Sequence, residues 1–178
     1  MRPGAAGLYD PTNEHDACGM GAVADLSGEP KHITVLRALE VLDRLEHRGA
    51  IGAEPDTGDG AGILLQIPDE YLRAEVPFDL PEPGRYGIGV CFLPRAATLS
   101  EEIESLIGRT VEAEGQIVLG WRTVPVDESV PGPTAAEARP AIKQLFIGAG
   151  TSHGDDQEAF ERKLYVIRRI IEKAVPEE

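Results

Sequence analysis

The residues whose side chains are best suited to chemistry are Cys18 and Arg48. Cys18 stands in Glu14-His15-Asp16-Ala17-Cys18-Gly19-Met20-Gly21, where a polar loop gives way to a small, apolar stretch. A cysteine at a strand start, followed by glycine, can present its sulfur to solvent, because glycine permits close backbone approach. Three other uses stand beside that of a nucleophile. Most free cysteines are simply small buried hydrophobes. His15 and Cys18 could form half of a metal site, but zinc takes three or four ligands and the four histidines provide no second close Cys/His pair. A thiol redox role would call for a resolving partner, yet there is no Cys-x-x-Cys pair and Cys91 is remote in sequence. Arg48 taken alone is a solvated cation near a helix C-terminus, where the helix dipole favours it. A guanidinium can also hold a carboxylate through two parallel hydrogen bonds.

The elements that must position these residues can be read from periodicity. Residues 1–17 mix glycine, proline and polar side chains without a period, and are expected to be irregular. Gly19 to Leu26 suits a buried strand ending at the turn Ser27-Gly28-Glu29-Pro30. Ile33 to Arg48 carries Val35, Leu39, Leu42 and Leu45 at helical spacing, with Gly49 as its expected C-terminal cap. A loop dense in turn formers, Gly52 to Gly60, feeds a short apolar run, Ala61 to Ile67, expected as a strand closed by Pro68. Further strands are expected over Tyr86 to Leu93, Gln116 to Val126 and Ala141 to Ile147. Helices are expected over Asp69 to Ala74, over Leu99 to Ala113 with Thr98 or Ser100 as its cap, and over Asp156 to Val175. Pro131 to Ala141 reads as a loop with a helical turn, Cys91 as strand core, and Trp121 and Tyr165 as packing anchors. Helices and strands alternate in the manner of an α/β or α+β layered domain. Propensity does not choose between a parallel three-layer sheet and two stacked sheets between helices.

The 178 residues suffice for one domain with a core. Seventeen basic against 31 acidic residues give a formal charge of −14, which repels phosphate backbones and anionic lipid surfaces. Nucleic-acid and membrane-surface binding are therefore disfavoured. No run approaches the ~18 apolar residues of a spanning helix. The first ten residues hold one basic residue and no signal-peptide core, and the two cysteines do not suggest a disulfide framework. A cytoplasmic, reducing compartment is the expectation. The loop Thr57 to Gly62 resembles a phosphate cradle only superficially, since the Gly-Lys-Ser/Thr ending of a P-loop is missing.

An ordered series of motifs sharpens the picture: Leu8-Tyr9-Asp10-Pro11, Glu14-His15-Asp16-Ala17-Cys18-Gly19, Leu45-Glu46-His47-Arg48-Gly49-Ala50, and Thr57-Gly58-Asp59-Gly60-Ala61-Gly62. Leu119-Gly120-Trp121-Arg122-Thr123-Val124-Pro125-Val126-Asp127 and Phe160-Glu161-Arg162-Lys163-Leu164-Tyr165 continue it. Along nearly its whole length the chain resembles the large subunits of glutamate synthases, whose first domain is a class II glutamine amidotransferase of the N-terminal-nucleophile hydrolase type. The resemblance implies an α+β fold, a four-layer α/β/β/α sandwich present here only in part. It implies removal of residues 1–17 as a propeptide, with residues 18–178 as the N-terminal portion of the amidotransferase domain. Cys18 would become the first residue and the nucleophile; Arg48 would bind the α-carboxylate of L-glutamine, and Gly49 would let that substrate come close. The freed α-amine, with a pKa near ~8, would serve as base.

The family's oxyanion hole uses an Asn-Gly pair, and this sequence has one asparagine, Asn13, and no such pair. Loss of one oxyanion donor typically costs ~10²–10³ in turnover. The chain is thus expected to be a truncated piece, itself nearly inactive or at most a structural or interaction fragment. FMN and an iron–sulfur cluster are implied for the parent enzyme's other domains, with no residues for either here. The implied partners are L-glutamine, the remaining synthase domains and a small reductase subunit.

Overall fold

The computed structural model describes residues 19–45, 60–151 and 156–175. The chain divides into two compact units: Met1–Gln66 with Glu128–Glu137, and Ile67–Asp127 with Ala138–Glu178.

The second unit is built on a three-stranded antiparallel sheet in the order β1-β3-β2, with β1 Tyr86–Leu93, β2 Ile117–Thr123 and β3 Ala141–Gly148. The central strand is the last of the three in sequence. β3 pairs with β1 from Tyr86↔Gly148 to Leu93↔Ala141, and with β2 from Ile117↔Gly148 to Thr123↔Lys143, with an irregularity between Val118 and Gly120. Having a neighbour on each side, β3 holds the run Leu145–Gly148 fully buried.

Alternation along the strands gives the sheet two different faces. On one face, Leu145 and Ile147 pack with Ile107 and Val111 of helix α3 (Ala97–Ala113) and with Phe160 and Ile167 of α5 (Gln157–Ala174). Phe160, Leu164, Ile167 and Ile171 recur at helical spacing, which is why α5 turns one stripe to the sheet. Cys91 and Trp121 are half-buried against the same cluster. On the opposite face, Phe146 packs with Tyr86, with Leu72 of α2 (Asp69–Glu75), and with Val76 and Leu80 just after it. Phe78 stands edge-on to Phe146, ring centroids 5.3 Å apart. A Cβ at Gly120 would lie 2.4 Å from the Phe78 ring, so this β2 position has no room for a side chain. Farther along that face Val90 and Phe92 are 54% and 68% exposed.

Polar contacts fasten α2 to the sheet. The Asp69 carboxylate accepts from Arg73 Nε at 2.8 Å and from the Tyr86 hydroxyl at 2.8 Å, while Arg73 also donates to the carbonyls of Leu80 and Pro81. The Arg122 guanidinium, on β2, donates to Gln144 Oε1 at 3.0 Å and to Tyr71 Oη and Glu75 Oε2 at 3.1 Å each. On the helical side Lys143 Nζ reaches Glu104 at 2.6 Å and Lys163 Nζ reaches Glu114 at 2.8 Å.

The first unit contains α1, His32–Arg44. The short helix α4, Pro133–Ala138, begins in that unit and ends across its boundary. No residue of α1 is buried.

Several expectations need correction. Gly19 to Leu26 and Ala61 to Ile67 are not strands, and Met20, Leu26 and Leu64 are 96%, 101% and 102% exposed. A strand exists only where a second segment takes up its backbone groups, and neither stretch has one among the described residues. Helix α1 ends at Arg44 with Leu45 as its C-cap, short of the expected end at Arg48; the expected cap, Gly49, lies outside the described residues. α3 begins at Ala97 after an Ala96 cap without a side-chain hydrogen bond, and Ser100 Oγ donates to Glu104 instead. Tyr165 is no packing anchor: it is exposed, with the Arg168 guanidinium 5.7 Å from its ring centroid. The antiparallel pairing also disposes of the parallel three-layer sheet for the described strands.

Candidate functional site

Cys18, Arg48 and Gly49 lie outside the described residues, as do His15, His47 and residues 57–59 of the Thr57 to Gly62 loop. The structure does describe the two segments that run up to them. After Cys18 the chain is irregular through Asp25, turns, and enters α1, whose last turn precedes Arg48.

Two local devices hold these segments together. The first is the approach of Gly21 to α1. A Cβ built on Gly21 would lie 2.4 Å from Val41 Cγ1, far inside van der Waals contact, so the backbone three residues after Cys18 sits directly on the helix. Any larger residue at 21 would have to push Val41 aside, and a β-branched side chain in a helix has one strongly preferred rotamer.

The second device is a polar turn. Gly28 N donates to Asp25 O at 3.1 Å, closing the reversal. The Asp25 carboxylate accepts from Ser27 N at 2.9 Å, from Ser27 Oγ at 2.6 Å and from Lys31 Nζ at 2.8 Å, and Lys31 Nζ also reaches Ser27 Oγ at 2.9 Å. Asx turns of this kind arise because a short acidic side chain can bond the backbone two residues on. The Lys31 ammonium, and then the Ser27 donors, hold the Asp25 carboxyl down at about 2. Lys31 is also the residue that precedes the first turn of α1, so the same side chain ties the turn to the helix start. Sequence reasoning placed the turn at Ser27-Gly28-Glu29-Pro30, two residues later than the observed Asp25–Gly28 reversal, and missed Asp25 and Lys31 as its staples. The signal was present in the Asp-x-Ser-Gly spacing. The role of Gly21 had none, because only the packed helix shows what lies beside it.

The described titratable groups of the second unit do not form a rival site. Burial, followed by the nearby Glu104 carboxylate, pushes the Cys91 thiol up, which lowers its thiolate fraction and its nucleophilicity at neutral pH. Tyr86 is pushed up to about 12 by burial and by its bond to Asp69, and Asp69 is held down by Arg73 and then Tyr86. These groups bond one another and fasten α2. Among the described residues no group of three or more His, Cys, Asp or Glu could hold a metal ion, and no helix is long and apolar enough to cross a membrane.

Residues 18–178 match the family described as class-II glutamine amidotransferases. The chain is 49% identical over 171 residues to the glutamate synthase (NADPH) large chain of Bacillus subtilis, covering 96% of this chain and 11% of that protein. It is 39% identical over 184 residues to the ferredoxin-dependent glutamate synthase 1, chloroplastic/mitochondrial, of Arabidopsis thaliana, covering 100% of this chain and 11% of the relative. With the glutamate synthase (NADPH) large chain of Azospirillum brasilense the identity is 38% over 173 residues, covering 96% and 11%. The chain thus spans about a tenth (11%) of the length of these relatives. The family match, which begins at Cys18 and takes in every residue after it, shows that this chain belongs to the class-II glutamine amidotransferases.

Proposed function

We propose that the chain is the leading part of the glutamine-hydrolysing, ammonia-supplying domain of a glutamate synthase. The observation that carries this reading is the 49% identity to a glutamate synthase large chain across 96% of the sequence, within a class-II glutamine amidotransferase match. In the complete enzyme Cys18 Sγ attacks the side-chain carbonyl of L-glutamine. A carbon–sulfur bond forms and the carbon–nitrogen bond breaks. The thiol proton passes through the Cys18 α-amine to the leaving nitrogen, and ammonia departs. Water then cleaves the thioester to glutamate and restores the thiol.

The α-amine can accept a proton near neutrality, with a pKa of ~8, only once the bond to Ala17 is cut. While Ala17 is attached that nitrogen is an amide and has no usable basicity. Removal of residues 1–17 is therefore part of the proposal, and a family match that starts at Cys18 supports it. Arg48 holds the substrate α-carboxylate by paired hydrogen bonds, and Gly49 leaves room beside it.

The ammonia is taken to pass to a synthase site in the rest of the polypeptide, for condensation with 2-oxoglutarate and reduction, with electrons delivered through a small reductase subunit. The reading places the whole in the cytoplasm. FMN and an iron–sulfur cluster belong to those other domains in this reading. The chain's two cysteines fall short of the four thiolates such a cluster ordinarily takes, so no step here runs through either group.

The same reading takes the full domain to be a four-layer α/β/β/α sandwich. The described sheet, covered by α3 and α5 on one face, would supply a sheet layer and a helix layer. The exposed Val90 and Phe92 on its other face support that view, because apolar sheet surface is ordinarily buried against a second layer.

A second reading is that the 178 residues alone are a catalytically incompetent piece. The absence of any Asn-Gly pair favours it for the isolated chain.

The deciding experiment is the N-terminal sequence and intact mass of the protein expressed from its full reading frame, read with a glutamine-hydrolysis assay. A start at Cys18, with ammonia release abolished by Cys18→Ala, is the expected result. Glutamine hydrolysis from a chain that still starts at Met1 or Arg2 would overturn the α-amine mechanism. The 178-residue chain is expected to release little or no ammonia, and substantial release would refute the incompetent-fragment reading.

A further inference from the structure

No further inference is drawn: the strongest candidate, the end of the sheet's second face where Val90 and Phe92 stand exposed, belongs to the layered fold already proposed, and nothing in the structure shows any other occupant for it.

Discussion

The two units of this chain handle similar sequence patterns differently. Every buried hydrophobic residue among the described ones, from Leu72 to Ile167, lies in the second unit, whereas residues 19–45 and 60–66 contain none. Yet both units contain short apolar runs of strand character and amphipathic helix: α1 in the first, α3 and α5 in the second. β1 is a strand because β3 answers it residue by residue over its whole length. Ala61 to Ile67 has no such answer among the described residues and stays irregular. α1 and α5 show the complementary case. An α-helix closes its hydrogen bonds within itself, so α1 forms with no residue buried, while α5 goes on to bury Phe160 and Ile167. A helix can therefore stand without a buried face, whereas a strand needs a second segment to take up its backbone groups.

The largest effect that would sharpen this contrast is expected in the second unit's core. Phe160→Ala should cost about 3–5 kcal/mol, read as a fall in the urea midpoint of the sheet's unfolding. Leu39→Ala on α1, nearly half exposed, should shift the same midpoint by no more than ~0.5 kcal/mol. Equal effects would break the comparison and mean that α1 contributes to the same cooperative core.

A smaller change is expected at the approach that joins the segment after Cys18 to α1. Gly21→Ala should destabilise the first unit by roughly 1–3 kcal/mol through its clash with Val41, without moving the sheet's unfolding. Amide hydrogen exchange in α1 should accelerate by about tenfold or more, given that 1.4 kcal/mol is a factor of ten. Val41→Ala in the same chain should restore protection. Unchanged exchange in Gly21→Ala would show that the contact does not hold the segment.

The smallest effect concerns the turn. Asp25 has its pKa lowered in the folded turn, so its contribution is present above the ordinary carboxylate range and is lost as pH falls from ~4 toward about 2. Because the group is exposed, salt should weaken the effect further. Exchange of the Ser27 amide, whose acceptor is Asp25 Oδ1, should rise over that pH window beyond the intrinsic change, and Asp25→Asn should abolish the extra pH dependence. A flat profile in the unaltered chain would remove Asp25 as the staple.

How legible the molecule was depends on the range of the interaction concerned. The stripe Phe160, Leu164, Ile167 and Ile171 could be read directly, because a 3.6-residue period is a local property and the helix faces the sheet along it. Strands β1 and β3 were also readable as apolar runs bounded by turn formers. Their order was not, since inserting β3 between β1 and β2 depends on pairings between segments distant in sequence. The N-cap of α3 was misjudged for a related reason. Ser100 has the right chemistry for an N-cap, but its hydroxyl turns to Glu104, whose carboxylate also pairs with Lys143 across the packed interface. Tyr165 failed as an anchor because its position on α5 falls off the buried stripe by one residue from Leu164.

By itself the sequence determined what depends on residue identity and short spacing. That includes the family, the helical segments, and the acidic charge that disfavours polyanionic partners; the roles proposed for Cys18, Arg48 and Gly49 rest on it as well. Tertiary structure alone decided which apolar runs became strands, which face of the sheet was covered, and why position 21 must be glycine. The physical reason is the same in each case. A backbone group on a strand, a side chain in a core and the space beside a glycine are all defined by a second segment, whose arrival no local pattern encodes.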